Sequence, residues 1–300
     1  MSKLPPSIEN LFEKGELSID VIRLILNRLS PEQAKVVCGV NRYTNQQVCN
    51  DTFWVLYYEN KFLGPKPKFE ERDLKKLQPK IRNLFFYLLQ HNEPKYAKII
   101  YEKYKNYIDI AKNDDLAIRI ASDKGYSKLV ELLLKDKRVD PAADNNSAIR
   151  FASSNGHTAV VKLLLADPGV DPAANNNDAI RMASANGHTE VVKLLLKDKK
   201  VNPAAFHNLA IQIASKRGFL EIVNVLLADN RVNPAADGNA AIKDASENGH
   251  IEVVKLLLKD PRVNPVAENN KSIRLAFKYD HYDVVKILLA DPRVKKLIGI

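Results

Sequence analysis

The sequence predicts an all-α solenoid preceded by a small helical domain, and three observations carry that expectation. A glycine returns every 31 residues, at Gly125, Gly156, Gly187, Gly218 and Gly249, with Asp280 in the sixth place. Around it one pattern is rewritten, as in SAIRFASSNGHTAVVKLLL over 147–165 and DAIRMASANGHTEVVKLLL over 178–196. A different, more aromatic segment precedes these repeats. A fixed period of this size means a stack of similar small units, each too small to bury its own apolar face.

Composition narrows the class. Three hundred residues predict about two domains. The N-terminus has no basic start followed by an apolar run, so no signal peptide is expected. No apolar stretch approaches the ~18 residues that span a membrane. The two cysteines, Cys38 and Cys49, both precede the repeats and read as reduced thiols of a cytoplasmic or nuclear protein. The formal charge is +10, but it is spread evenly: 18 Lys/Arg stand against 13 Asp/Glu before residue 111, and 28 against 23 after it. That spread disfavours nucleic acid as the partner.

Along the chain, residues 1–16 read as a tail. In 17–63, Leu17, Ile22, Ile25, Leu26 and Leu29 fall at helical spacing and Ser30-Pro31 ends the run. Val37, Cys38 and Val40 follow, then Asp51, Trp54 and Phe62, giving about three short helices, too few for a robust core alone. The basic stretch Lys61 to Arg82 places a solvated linker over 64–80. Ile81–Gln90 and Lys95–Tyr104 are helix-like, and 81–111 is expected to be a degenerate pair of helices capping the stack.

Residues 112–300 hold six units. Ala148/Ile149 and its counterparts open a first helix, and Ala121, Ala152, Ala183, Ala214, Ala245 and Ala276 share its inner face, where small side chains let helices approach. The recurrent Gly ends that helix in a left-handed conformation. A second helix opens at Thr158 or Thr189, read as caps, and buries a stripe at Val160, Val161, Leu164 and Leu165. Asp-Pro at 167–168, 260–261 and 291–292 stops it. An extended Val-Asn/Asp-Pro segment then leads to an Asn-rich turn.

This order resembles the ankyrin repeat over residues 112–300, in the divergent form associated with giant DNA viruses of amoebae. The unit is shorter than the usual one, so a shorter projecting turn is expected. The Thr and His that tie ordinary units are replaced by a mixed column and by Arg119, Arg150, Arg181, Gln212, Lys243 and Arg274. A recurrent Asn at 146, 177, 208, 239 and 270 is expected to supply the missing ties.

The resemblance implies a protein target on the concave face, met where the units differ. Those positions are the turn tips Asp144, Asn145, Asn175, Asn176, Phe206, His207, Asp237 and Glu268, and the first-helix ends Ser154, Lys216 and Glu247. Phe206 stands out as an aromatic among polar tips. The Arg column reads either as contacts to acidic groups on a partner or as bonds to turn carbonyls. His157, His188, His250 and His281 share a column, but stacked helices ~8–10 Å apart cannot bring their nitrogens to one ion, each ~2 Å from it. No cofactor, metal site or catalytic motif is expected.

Residues 17–62 resemble an F-box, with Leu17, Ile22, Leu26, Leu29, Val40, Tyr43, Asp51 and Trp54 in matching places. That resemblance implies a Skp-type adaptor of a cullin–RING ubiquitin ligase as partner, met by Leu17, Ile22, Leu26 and Leu29. The chain would then be a substrate-recognition subunit; the alternative is a plain ankyrin scaffold or decoy that binds a host or viral protein without any ligase.

Overall fold

The computed structural model describes residues 30, 34, 51–64 and 71–298, in two compact units that divide between Ile110 and Ala111. In the first, helices Asp51–Leu63, Glu71–Gln90 and Pro94–Tyr104 pack against one another. The middle helix buries Ile81, Leu84, Phe85, Leu88 and Leu89 completely, the i, i+3, i+4, i+7, i+8 stripe of a helix that packs on one side. The first helix supplies Trp54, Tyr57 and Tyr58, and the Trp54 ring lies 6.4 Å from that of Tyr96. Buried Glu59 accepts hydrogen bonds from Lys103 Nζ (2.8 Å) and the Tyr104 hydroxyl (3.0 Å). Burial first, then the Glu59 charge and hydrogen bond, push the Tyr104 phenol above its ordinary value.

The middle helix corrects one expectation: it begins at Glu71, ten residues before Ile81, so the expected linker over 64–80 is helical from Glu71 onward. Half-buried Leu74 and Leu77 continue the period of the stripe upstream at i−7 and i−4 from Ile81, among the basic residues that made the stretch look like a linker. Pro79 sits inside the helix without ending it.

The second unit is a stack of six helix pairs followed by a terminal helix, Pro292–Ile298. The first helices are Lys112–Asp123, Ala143–Ser154, Ala174–Ala185, Ala205–Lys216, Ala236–Glu247 and Ala267–Lys278. The second helices are Ser127–Leu134, Thr158–Leu165, Thr189–Leu196, Leu220–Leu227, Ile251–Leu258 and Tyr282–Ala290. Among the described residues there is no strand. First helices pack on first helices and second on second, always between neighbours. The core is the alanine column with its Ile (Ala148, Ile149, Ala152) against the second helix (Val160, Val161, Leu164), all fully buried. Leu165 and Leu196 are only half-buried, so the second-helix stripe is narrower than expected.

The column glycine does close the first helix in the left-handed region, with Gly156 at φ +74° and Gly218 at φ +74°; Asp280 takes the sixth place at φ +60°. It also makes room. A Cβ on Gly218 would come 2.6 Å from His250 Nδ1 of the next unit. That ring then donates from Nε2 to the Lys216 carbonyl at 2.9 Å. His157, His188 and His281 do the same toward Asp123, Ser154 and Glu247. The His column is therefore an inter-unit tie, with Tyr126 and Phe219 as the aromatic residues that take the place of His in two units. The expected Thr caps need correction: His157 and His188 occupy the cap position, Thr158 and Thr189 are the first helical residues, and no side chain caps either helix.

A second tie was not legible beforehand. Asp229, Asp260 and Asp291 each hold the Arg two residues on, which also reaches back to the preceding unit: Arg231 to the Val201 carbonyl (2.6 Å), Arg262 to Val232 (2.8 Å), Arg293 to Val263 (2.7 Å). The hydrogen bonds from these arginines are the leading reason that all three carboxyls lie below the usual range. By contrast, the hydroxyls of Ser122, Ser153, Ser184, Ser215 and Ser246 are fully buried with no hydrogen-bond partner among the described residues.

Candidate protein-binding face

Each turn between units drives three consecutive residues into the left-handed region. In one turn Asp144, Asn145 and Asn146 have φ of +53°, +53° and +58°; in another, Phe206, His207 and Asn208 have +51°, +57° and +66°. Asn, Asp and Gly tolerate that region best, which accounts for the Asn-rich composition. The first two residues of these two triplets are exposed and the third turns inward.

The inward residue builds a ladder. Oδ1 of Asn146 accepts the Asp171 N–H at 2.7 Å, Asn177 that of Asn202 at 2.6 Å, Asn208 that of Asn233 at 2.7 Å and Asn239 that of Asn264 at 2.6 Å. The Asn column thus supplies the polar ties expected of it. The ladder stops at Asn270, whose Oδ1 is buried with no partner among the described residues. By register its donor would be residue 295, but the Lys295 N–H goes to the Asp291 carbonyl within the terminal helix.

The Arg column underpins the tips. Arg119 bonds Ser147 Oγ (2.8 Å) and pairs with Asp144; Arg150 pairs with Asp178 (3.0 Å) and donates to the Asn145 carbonyl. Arg181 bonds the Asn175 and Asn176 carbonyls and Asp178, and its guanidinium lies 4.6 Å from the centre of the Phe206 ring. Gln212 reaches the His207 carbonyl and Asp237. Lys243 reaches the Asp237 carbonyl and Glu268, and Arg274 the Glu268 carbonyl. Hydrogen bonds from Lys243 and then Lys271 bring the Glu268 carboxyl down to about 2. The column's donors are turned toward turn carbonyls and tip acids of the chain itself.

Of the expected contact positions, the tips Asp144, Asn145, Asn175, Asn176, Phe206, His207, Asp237 and Glu268 are all exposed. Phe206 stays 51 % exposed despite the Arg181 stack. Among the helix ends Lys216 is exposed, while Ser154 and Glu247 are half-buried and accept the His ties through their carbonyls. One column was missed: Ile120, Phe151, Met182, Ile213, Asp244 and Leu275, the residue after the Arg position on successive first helices. Phe151 is exposed and the others half-buried. Burial raises the Asp244 carboxyl above its ordinary value, Lys216 opposing, Glu247 adding and Lys243 opposing.

Three copies of the family model described as ankyrin repeats match residues 117–206, 180–269 and 210–296. The chain belongs to the ankyrin-repeat family. No curated protein matches it. Ankyrin arrays are protein-interaction modules, and the exposed tips over an internally bonded base are the arrangement such a module needs. The four apolar positions of the F-box-like segment, Leu17, Ile22, Leu26 and Leu29, lie outside the described residues. Among the described residues no helix is long and apolar enough to cross a membrane.

Proposed function

We propose that this ankyrin protein is a substrate-recognition subunit, holding a target on the face built from turn tips and first helices. The observation that carries the reading is the contrast within each turn. The inward Asn repeats in units two to six, whereas the outward tips change from Asp144 to Asn175, Phe206, Asp237 and Glu268. Invariant anchors under variable tips are what a scaffold with a specific partner requires. The F-box-like 17–62 segment would bring a Skp-type adaptor, and ubiquitin transfer would follow from proximity rather than from a catalytic residue in this chain.

The plain scaffold or decoy reading has its own support. Trp54, the tryptophan of the F-box-like pattern, packs in the aromatic core of its own unit beside Tyr58 and Tyr96. Co-purification of full-length protein with a Skp-type adaptor separates the two. Wild type should retain adaptor at micromolar concentration, and Ile22→Asp with Leu26→Asp should lose it, since buried unpaired charges cost several kcal/mol. Target capture by the array should survive that double change and weaken with Phe206→Ala. Failure of wild type to retain adaptor leaves the scaffold reading.

A further inference from the structure

We propose that the segment held by the array is an amphipathic α-helix that lays heptad-spaced apolar side chains on Ile120, Phe151, Met182 and Ile213 and ends in basic residues over Asp244 and Glu247. This rests on the reading that the first-helix face binds the target, and it adds the chemistry of what binds there.

The first helices of neighbouring units pack directly on one another, so equivalent positions follow one another from unit to unit as a column. The column is apolar through the first four units, acidic at Asp244 in the fifth and apolar again at Leu275 in the sixth, in a chain whose net charge is +10. Stacked helices lie ~8–10 Å apart, and seven residues of an α-helix advance ~10.5 Å. One apolar side chain per heptad therefore meets one unit after another. An extended ligand would instead need partners for its own N–H and C=O groups. The neighbouring Arg, Gln and Lys column cannot offer many, because its donors already serve turn carbonyls and tip acids. A helix satisfies its own backbone and asks the face only for apolar contact. The half-buried Asp244, with Glu247 one turn on, gives the complex its polarity: a cation from the ligand joins Lys216 and Lys243 in offsetting the repulsion between the two acids.

The test uses two synthetic helical peptides about four heptads long, alike in their apolar positions but ending in Lys-Lys or Glu-Glu, titrated against full-length protein by fluorescence anisotropy. The Lys-ended peptide should bind roughly tenfold tighter or more, and Phe151→Glu should weaken it by a similar factor. Asp244→Lys with Glu247→Lys should reverse the preference, while Leu220→Glu on the second-helix face should change nothing. Circular dichroism of each variant confirms that the array is folded. Equal binding of the two peptides, no binding of either, or sensitivity to Leu220→Glu but not Phe151→Glu would overturn the proposal. Target capture that persists and still depends on Phe206 would then show that the interaction reading survives without it.

Discussion

His188 donates from Nε2 to the Ser154 carbonyl at 2.9 Å while its ring lies over Gly156, so one residue pair both fixes a helix end and joins two units. Gly156→Ala places a side chain at φ +74°, which alone costs about 1–2 kcal/mol, and drives a methyl into the ring. Urea unfolding should show a loss above that figure. His188→Ala should relieve the clash without restoring the tie, so the double variant should be less destabilised than the sum of the single ones.

Asn177 and Asn270 offer the same residue at nearly the same φ, +60° and +58°, with and without a partner. Asn177→Ala should destabilise by about 1–3 kcal/mol more than Asn270→Ala, because only the former strands the Asn202 N–H. Asn177→Asp keeps an acceptor and should fall between wild type and Ala. Paired denaturation curves check both.

Ser184→Ala should be neutral or raise the melting temperature. Its hydroxyl is fully buried and has no hydrogen-bond partner among the described residues, so removing it ends a desolvation penalty without breaking a bond. A loss of more than about 1 kcal/mol in the same assay would mean that the hydroxyl is engaged.

Acid should loosen the last turn. Glu268 has its carboxyl lowered from 4.5 to about 2 by Lys243 and Lys271. A depressed folded value means that its contribution is complete above pH 4.5 and is lost as pH falls toward 2. Melting curves of Glu268→Gln should therefore converge on wild type across that window, and salt should shrink the difference at neutral pH.

The repeating framework was legible because its constraints are local. A left-handed position selects Gly, and a stripe of Val and Leu at helical spacing selects a buried face. What escaped depends on neighbours. The ties of Arg231, Arg262 and Arg293 are not legible in the sequence, where Gly169 and Lys200 vary their column, and they appear only once the previous unit's carbonyl is in place. The column of Ile120, Phe151, Met182 and Ile213 is not legible in the sequence, since nothing in an apolar helical residue says whether an adjacent helix covers it. The helix from Glu71 was hidden by its basic residues, although Leu74 and Leu77 keep the period of Ile81.

Every tie described in the array reaches only the adjoining unit, as from Asn208 to Asn233 or from Arg262 to Val232. A 31-residue duplication inside it would thus bring its own donors and acceptors and leave no bond unmatched. Such a gene can lengthen or shorten by unequal crossing-over without redesign of the core. Each added module carries a fresh tip, so the recognition row can diversify at the pace of recombination rather than of point mutation.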